Sequence, residues 1–248
     1  MMQINRLTNQ QAIEWFKFGW QLFIKQPLQW IFIFLVIFIL SAVLNLIPFG
    51  GIVFMVLSPA IFAGLFLTFE AAENNRGIPI AMVFSVLADS KRRNPFLFLG
   101  GLNFLFNLVL SVVMLALIGG TAGFGALMAG GDVATTAFMG AGIWMLLVIL
   151  PILLVYLLAL LYAVPLILFK NLEVKEALIW SLKAGFSNLI PMLVAGIIYF
   201  ILAFLSALIF GLGFIVLIPV SFMAVYASFK DLFGKSNVTP DSKTVMEV

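Results

Sequence analysis

The sequence contains no cysteine and no histidine, and charged residues make up only 9% of it. The absence of these two residue types excludes disulfide bonds, iron–sulfur clusters, zinc sites built on them, and nucleophilic catalysis by either. So few charged groups could not cover a soluble surface, since about a quarter of the residues of soluble domains are charged. We therefore expect a membrane protein that is not an enzyme and that has no catalytic, cofactor or metal site.

Apolar residues make up 64% of the chain, and the mean hydropathy is +1.23. A helix crosses a hydrocarbon layer of about 30 Å with about 20 residues. The sequence predicts an all-α polytopic membrane protein, with a single integral membrane domain over 1–232 and a flexible cytoplasmic tail over 233–248. Because the fourth span is long, we expect it to tilt or to kink at Pro151 and Pro165. Six stretches are long and apolar enough to span, namely 28–46, 51–69, 96–118, 143–169, 191–209 and 213–230.

The basic residues predict the orientation, because positive charge is retained on the cytoplasmic side. All 13 Lys and Arg residues lie before the first span, between the second and third, between the fourth and fifth, or in the tail. The opposite side carries one charge, Asp132, in a glycine-rich loop from Gly119 to Gly142. This pattern predicts a bacterial inner-membrane protein with both termini in the cytoplasm.

Three short amphipathic segments precede the predicted hairpins. The first starts at a capping box of Thr8 and Gln11, the second covers Pro79 to Arg93, and the third covers Glu173 to Ser187 with Asn171 as its cap. We expect all three to lie at the cytoplasmic interface, the alternative being helices packed on the bundle or on a partner. The predicted lipid-headgroup contacts are Trp15, Lys17, Trp20, Lys25, Lys91, Arg92, Arg93, Lys175 and Lys183.

Each short helix with the hairpin after it forms a possible repeat unit, over residues 9–72, 79–170 and 173–232. The first and third units match best, since Gly51 and Pro59 stand eight residues apart, as do Gly211 and Pro219. A duplicated hairpin explains this match, and so does the limited vocabulary of apolar helices.

Polarity inside the spans is uncharged, which disfavours a proton relay or an ion-coupled pump. Asn103, Asn107 and Ser111 share one face of the third span, and Ser41 and Asn45 are similarly spaced on the first. These groups either form packing hydrogen bonds or line a substrate path. Membrane lipids are the expected partners, with a membrane protein or a second copy also open and nucleic acid not expected.

Some short motifs carry a family resemblance. They are Gly19-Trp20 followed by Phe23 and Pro27, Leu57-Ser58-Pro59-Ala60 with Ala63-Gly64, and Glu176-Ala177-Leu178 with Ser181 and then Asn188. Over most of residues 11–232 the chain resembles the uncharacterised bacterial inner-membrane family that includes YciC-like proteins. It is also similar to the membrane domain attached to some glycerophosphodiester phosphodiesterases. The resemblance implies six helices and no established activity.

Two functional hypotheses remain open at this point. The first is a non-enzymatic membrane component that organises lipid or a partner protein, which the amphipathic segments and uncharged spans favour. The alternative is a permease or lipid-translocating transporter with a neutral polar cavity. An enzyme is a third class, disfavoured because few acid–base groups are present.

Overall fold

The computed structural model describes residues 3–129 and 145–234, and every regular element in these ranges is helical. This confirms the predicted all-α class. A π-helical turn, Met145–Ile149, directly precedes α6. The α-helices are α1 (Asn9–Lys25), α2 (Pro27–Asn45), α3 (Gly50–Glu73), α4 (Ala81–Ala88), α5 (Ser90–Ala129), α6 (Leu150–Leu161), α7 (Ala163–Lys170), α8 (Val174–Ser187), α9 (Leu189–Leu208) and α10 (Phe214–Phe233).

The described chain has six helical stretches that are long and apolar enough to cross a membrane. The predicted number of spans is therefore confirmed, and the chain is a multi-pass membrane protein. The six stretches are Pro27–Asn45, Gly50–Glu73, Ser90–Leu117, Leu147–Lys170, Leu189–Leu208 and Phe214–Phe233.

The bundle has two chemically different ends. We call the first the basic end, because Lys25 at the end of α1, Lys170 at the end of α7 and Lys230 near the end of α10 lie there. We call the second the hairpin end, where α2 turns into α3 and α9 turns into α10. These turns are tight enough to require left-handed backbone at Phe49 (φ 62°) and Phe210 (φ 56°). The first and the last of the three predicted hairpins are therefore confirmed, and both have short turns.

The centre of the bundle consists of α3, α7 and α10. Within their spans 56% of the residues of α3 and of α10 are buried, compared with 11% in α9. The largest side chains that are fully buried are aromatic, and Phe69, Phe169 and Phe229 come one from each central helix. The buried residues of α3 and α10 concentrate in their second halves, so the core lies toward the basic end.

Each short helix packs on one of the spans through a glycine. A Cβ at Gly19 of α1 would overlap the Val220 carbonyl of α10, and a Cβ at Gly64 of α3 would overlap the Val83 carbonyl of α4. A Cβ at Gly185 of α8 would lie 2.8 Å from the side chain of Leu158 in α6. Small residues thus let these backbones approach closely, as they do between membrane helices. The three repeat units remain a prediction.

The helix of the fourth span is interrupted at Tyr162, three residues before Pro165. Pro165 has no N–H to offer the carbonyl one turn earlier, and the helix breaks at Tyr162, between α6 and α7. Pro151 lies in the first turn of α6, directly after the π-helical turn. The break before Pro165 confirms the predicted kink there, and the kink at Pro151 stays a prediction.

Two helix boundaries correct the sequence prediction. The second short helix ends at Ala88 instead of Arg93, because Asp89 accepts the backbone N–H groups of Lys91 (2.9 Å) and Arg92 (3.3 Å) and caps α5. Asn171 does not cap α8. It adopts left-handed backbone at the end of α7 (φ 53°), while Glu173 precedes α8 in extended conformation.

The first part of the predicted glycine-rich loop is helical. Residues 119–129 continue α5 as helix, although the prediction placed them in the loop from Gly119 to Gly142. A helix satisfies its own backbone hydrogen bonds, which outweighs the roughly 1 kcal/mol that each glycine costs it. The rest of the predicted loop, including Asp132, and the predicted tail beyond Gly234 lie outside the described residues.

Candidate functional site

A charged network joins α1, α3 and α10 at the basic end. Lys230 forms an ion pair with Glu73, and the Tyr226 hydroxyl donates a hydrogen bond to the same carboxylate at 3.0 Å. The Lys230 ammonium also lies 4.4 Å from the ring centroid of Phe18 and 4.9 Å from that of Tyr226. Because every charge here has a partner, the network ties the helix ends together.

Immediately beneath this network the aromatic side chains close the bundle. Tyr226 lies at the centre of the cluster, with its ring centroid 6.1 Å from the centroids of Phe69 and Phe169 and 6.3 Å from that of Phe66. Phe169 in turn lies 5.7 Å from Phe229. These contacts fill much of the space between α3, α7 and α10 with aromatic rings.

The N-terminal segment is held against the ends of α8 and α10. Asn188, which is 2% exposed, accepts the Leu7 N–H on its Oδ1 at 2.8 Å and donates its Nδ2 to the Asn5 carbonyl at 3.1 Å. Asn5 also donates its backbone N–H to the Leu232 carbonyl at 3.0 Å. The segment is therefore fixed by hydrogen bonds on both of its edges.

Two cavities lie beside α9. One, of about 440 Å³, lies at the basic end where this segment meets the junction of α8 and α9. The other, of about 480 Å³, is an apolar crevice between α9 and α10. Trp20 of α1 lines the crevice together with Leu202, Val216 and Val220.

The predicted polar face of the third span contacts one residue of a neighbouring helix, Tyr156 of α6, through two hydrogen bonds. The Asn107 side chain donates to the Asn103 side-chain oxygen at 2.8 Å and contacts the Tyr156 hydroxyl of α6 at 3.1 Å. Tyr156 donates its hydroxyl hydrogen to Asn103 Oδ1 and stacks on Phe106 with a centroid distance of 3.9 Å. Asn103 and Asn107 thus both form hydrogen bonds with Tyr156 of α6.

The other predicted polar residues do not join this cluster. Ser111 donates to the Asn107 carbonyl of its own helix at 2.8 Å. Asn45 donates to the Ser41 carbonyl, also within its own helix, at 2.8 Å. α2 and α5 each pack on α3, and the hydrogen bonds of the described chain do not connect Ser41 or Asn45 with Asn103.

One of the predicted headgroup contacts in α1 is wrong. Trp15 is only 4% exposed and donates its Nε1–H to Asp231 of α10 at 2.8 Å, so its ring belongs to the helix packing. Lys17 is exposed in an ion pair with Glu14 at 2.7 Å. Trp20 is 51% exposed, and Lys25 donates to Asn75 at 3.2 Å.

The remaining predicted headgroup contacts are all exposed at the basic end. Lys91, Arg92 and Arg93 lie in the first turn of α5, where Arg92 also approaches Asp89 at 3.4 Å. Lys175 lies in the first turn of α8, and the Lys183 ammonium lies 5.0 Å from the Trp180 ring centroid. Their contact with lipid stays a prediction.

Sequence reasoning missed the contacts that connect distant parts of the chain. Arg6 and Asn9 line the cavity at the basic end, yet neither belongs to a recognisable motif. Asn188 was noticed only as part of the resemblance, and its polar side chain beside an apolar helix was the one available signal. No group of three or more Asp or Glu side chains in the described parts could hold a metal ion.

Comparisons with protein-family models, with curated proteins and with solved structures find no match to this chain. The family resemblance therefore stays a prediction. The residues that carry it have structural roles here, since Gly19 and Gly64 allow close helix packing and Asn188 holds the N-terminal segment.

Proposed function

We propose that the protein is a non-enzymatic component of the bacterial inner membrane that organises lipid at the cytoplasmic leaflet. The observation that carries this proposal is the aromatic core around Tyr226, which fills the bundle at its basic end. A transport path needs a polar, hydrated route through the helices. The packing of Phe69, Phe169 and Phe229 between the central helices therefore supports a bundle without such a route at its basic end.

The charge distribution supports the choice of leaflet. Every basic residue of the described chain lies at or beyond the basic end, with both described termini beside it. Positive charge marks the cytoplasmic side and attracts anionic lipid at roughly 1 kcal/mol per residue. The proposed orientation therefore puts α1, α4, α8 and both termini at the cytoplasmic surface.

The outer surface of the bundle supports lipid as the main partner. α2 and α9 bury few of their side chains, and large apolar residues such as Phe38, Phe200 and Phe204 are more than half exposed. Acyl chains can cover such faces, whereas water cannot. The proposal does not require a second copy of the chain or a partner protein.

The permease remains the alternative proposal, with the Asn103 and Asn107 amides as its lining. Against it, the Asn107 amide donates to Asn103 and to Tyr156, and Asn103 accepts from Tyr156, which is the pattern of packing hydrogen bonds. The described residues place no second polar face opposite them.

Lipid retention tests the proposal. The protein is extracted into nanodiscs directly from the membrane, and the lipids and proteins in the discs are identified by mass spectrometry. We expect anionic phospholipid enriched over its share in discs formed around an unrelated six-helix membrane protein. Equal composition in the two preparations, with solute uptake by proteoliposomes that contain the protein, would favour the permease instead.

A further inference from the structure

We propose that the cavity at the basic end binds the phosphate group of an anionic membrane lipid. This inference rests on the proposed function and names the chemistry of one lipid site. The cavity has a volume of about 440 Å³, and the polar side chains that line it are Arg6, Asn9, Ser187 and Asn188. Phe186, Ile190 and Pro191 supply an apolar side.

The wall that carries Arg6 is fixed in place. Asn188 hydrogen-bonds to the two residues that flank Arg6, accepting from Leu7 at 2.8 Å and donating to the carbonyl of Asn5 at 3.1 Å. Asn5 is also bonded to the Leu232 carbonyl at 3.0 Å and, through its side chain, to the Asp231 carbonyl at 2.8 Å. The Arg6 backbone therefore cannot drift away from the cavity without breaking several hydrogen bonds.

Apart from Asn188, the polar side chains of the lining have no partner among the described residues. The ion pairs of the described chain join Glu14 with Lys17, Asp89 with Arg92, and Glu73 with Lys230, which leaves Arg6 without a carboxylate. Neither the Asn9 amide nor the Ser187 hydroxyl is hydrogen-bonded within the described parts of the chain. A guanidinium with two neutral donors beside it matches a phosphate, which accepts several hydrogen bonds and pairs with Arg in bidentate geometry.

The apolar side of the cavity indicates a lipid as the source of the phosphate. Phe186 is 54% exposed and Ile190 is 65% exposed, and both adjoin the polar groups at the start of a membrane-spanning helix. An acyl chain or glycerol backbone attached to the phosphate would cover these side chains. Inorganic phosphate would leave them in water, which is unfavourable for apolar area.

Lipid titration of the purified full-length protein tests this site. Delipidated protein in mild detergent is titrated with phosphatidylglycerol, phosphatidylcholine or inorganic phosphate, and bound lipid is counted by native mass spectrometry. Arg6→Gln should bind phosphatidylglycerol about tenfold more weakly, since a hydrogen bond between charged groups contributes on the order of a tenfold affinity change. Arg76→Gln is the control, because it removes the same guanidinium from an exposed position between α3 and α4, outside the cavity and outside the predicted headgroup contacts.

A second variant tests the space in the cavity independently of the Arg6 charge. Ser187→Trp keeps Arg6 but fills the space beside it, and we expect the same weakening for phosphatidylglycerol. Ser187 is exposed, so the larger side chain displaces no packed neighbour. Unchanged thermal unfolding of both variants in lipid-free detergent shows that the fold is intact.

The outcomes distinguish this inference from the proposed function. If wild type, Arg6→Gln and Ser187→Trp retain phosphatidylglycerol equally well, the site is wrong and lipid organisation stands. If wild type retains no more phosphatidylglycerol than phosphatidylcholine, both proposals fail. In a further outcome, millimolar inorganic phosphate displaces phosphatidylglycerol and binds with the same affinity as the lipid. That result would assign the cavity to free phosphate and overturn the lipid assignment.

Discussion

The hydroxyl of Ser181 bridges two backbone groups of the neighbouring span, the N–H of Tyr162 and the carbonyl of Leu158. It accepts the Tyr162 N–H at 3.0 Å and donates to the Leu158 carbonyl at 2.6 Å, the two groups that an unbroken helix would pair with each other. One side chain of α8 therefore makes the break between α6 and α7 possible without leaving buried backbone groups unsatisfied.

Removing this hydroxyl should destabilise the protein. In Ser181→Ala the Tyr162 N–H and the Leu158 carbonyl lose their partner in a fully buried place, and leaving such groups unpaired costs about 1–3 kcal/mol. Denaturant titration in mixed micelles measures the change in the free energy of unfolding. Ser187→Ala, an exposed serine of the same helix, is the control and should unfold like wild type. Equal stability of the two variants would show that Ser181 is dispensable.

The close approach of α3 and α4 should depend on Gly64. A methyl group there would overlap the Val83 backbone, so Gly64→Ala should force the helices apart and lower stability by about 1–3 kcal/mol. Gly101→Ala is the matched control, since a Cβ at Gly101 meets nothing within 4 Å, and its stability should be unchanged or slightly raised. Thermal unfolding of the two variants gives the comparison. A stable Gly64→Ala variant would contradict the packing of α4 on the third helix.

The amides of α5 are expected to act as packing contacts. Asn107→Leu removes the bonds to Asn103 and Tyr156 and should cost about 0.6–2 kcal/mol of stability. Tyr156→Phe should reproduce part of this loss, while Ser111→Ala should change little, because Ser111 bonds only within its own helix. Unfolding in mixed micelles again supplies the measurement. Unchanged stability of Asn107→Leu, combined with altered solute uptake, would support the permease.

Acidic pH should loosen the start of α5. The backbone N–H groups of Lys91 and Arg92 hold the pKa of Asp89 below its ordinary value of 3.8. A carboxylate with a lowered pKa stabilises the fold above its ordinary value and loses this contribution as the pH falls through the lowered pKa. Asp89→Asn keeps an acceptor but cannot titrate. The stability difference between wild type and Asp89→Asn should be constant near neutral pH and shrink only below about pH 3.8. If the stability difference between wild type and Asp89→Asn stayed constant at every acidic pH, the charge of Asp89 would not contribute to stability.

Local patterns in the sequence predicted much of this fold, because they depend on neighbouring residues alone. Apolar length predicted the six spans, and Pro165 predicted the break of the fourth. Thr8 and Gln11 predicted the start of α1, where the Gln11 side chain accepts the Thr8 N–H at 2.7 Å. The cap at Asp89 was missed, because the short helix and the third span carry one continuous helical pattern.

The candidate site could not be predicted in the same way. Asn188 contacts Leu7 across 181 residues of sequence. Ser181 hydrogen-bonds to Leu158 in another helix, and the apolar periodicity of α8 does not show which helix α8 packs on. Trp15 was assigned to headgroups because its residue type suits that depth, but the neighbouring Asp231 draws it into the protein. Such contacts depend on which helices meet, and apolar composition does not specify that.

Water access to the aromatic core tests most directly whether the bundle organises lipid or conducts a solute. The chain has no cysteine, so a single Met223→Cys substitution places one thiol in α10 at a position that is 0% exposed. Ser90→Cys, exposed at the basic end, is the accessible control. A small, membrane-impermeant thiol reagent is applied to both sides of proteoliposomes. The proposal predicts complete labelling of Ser90→Cys and none of Met223→Cys over the same period. Labelling of Met223→Cys at a comparable rate would show that water crosses the core and would contradict the closed bundle.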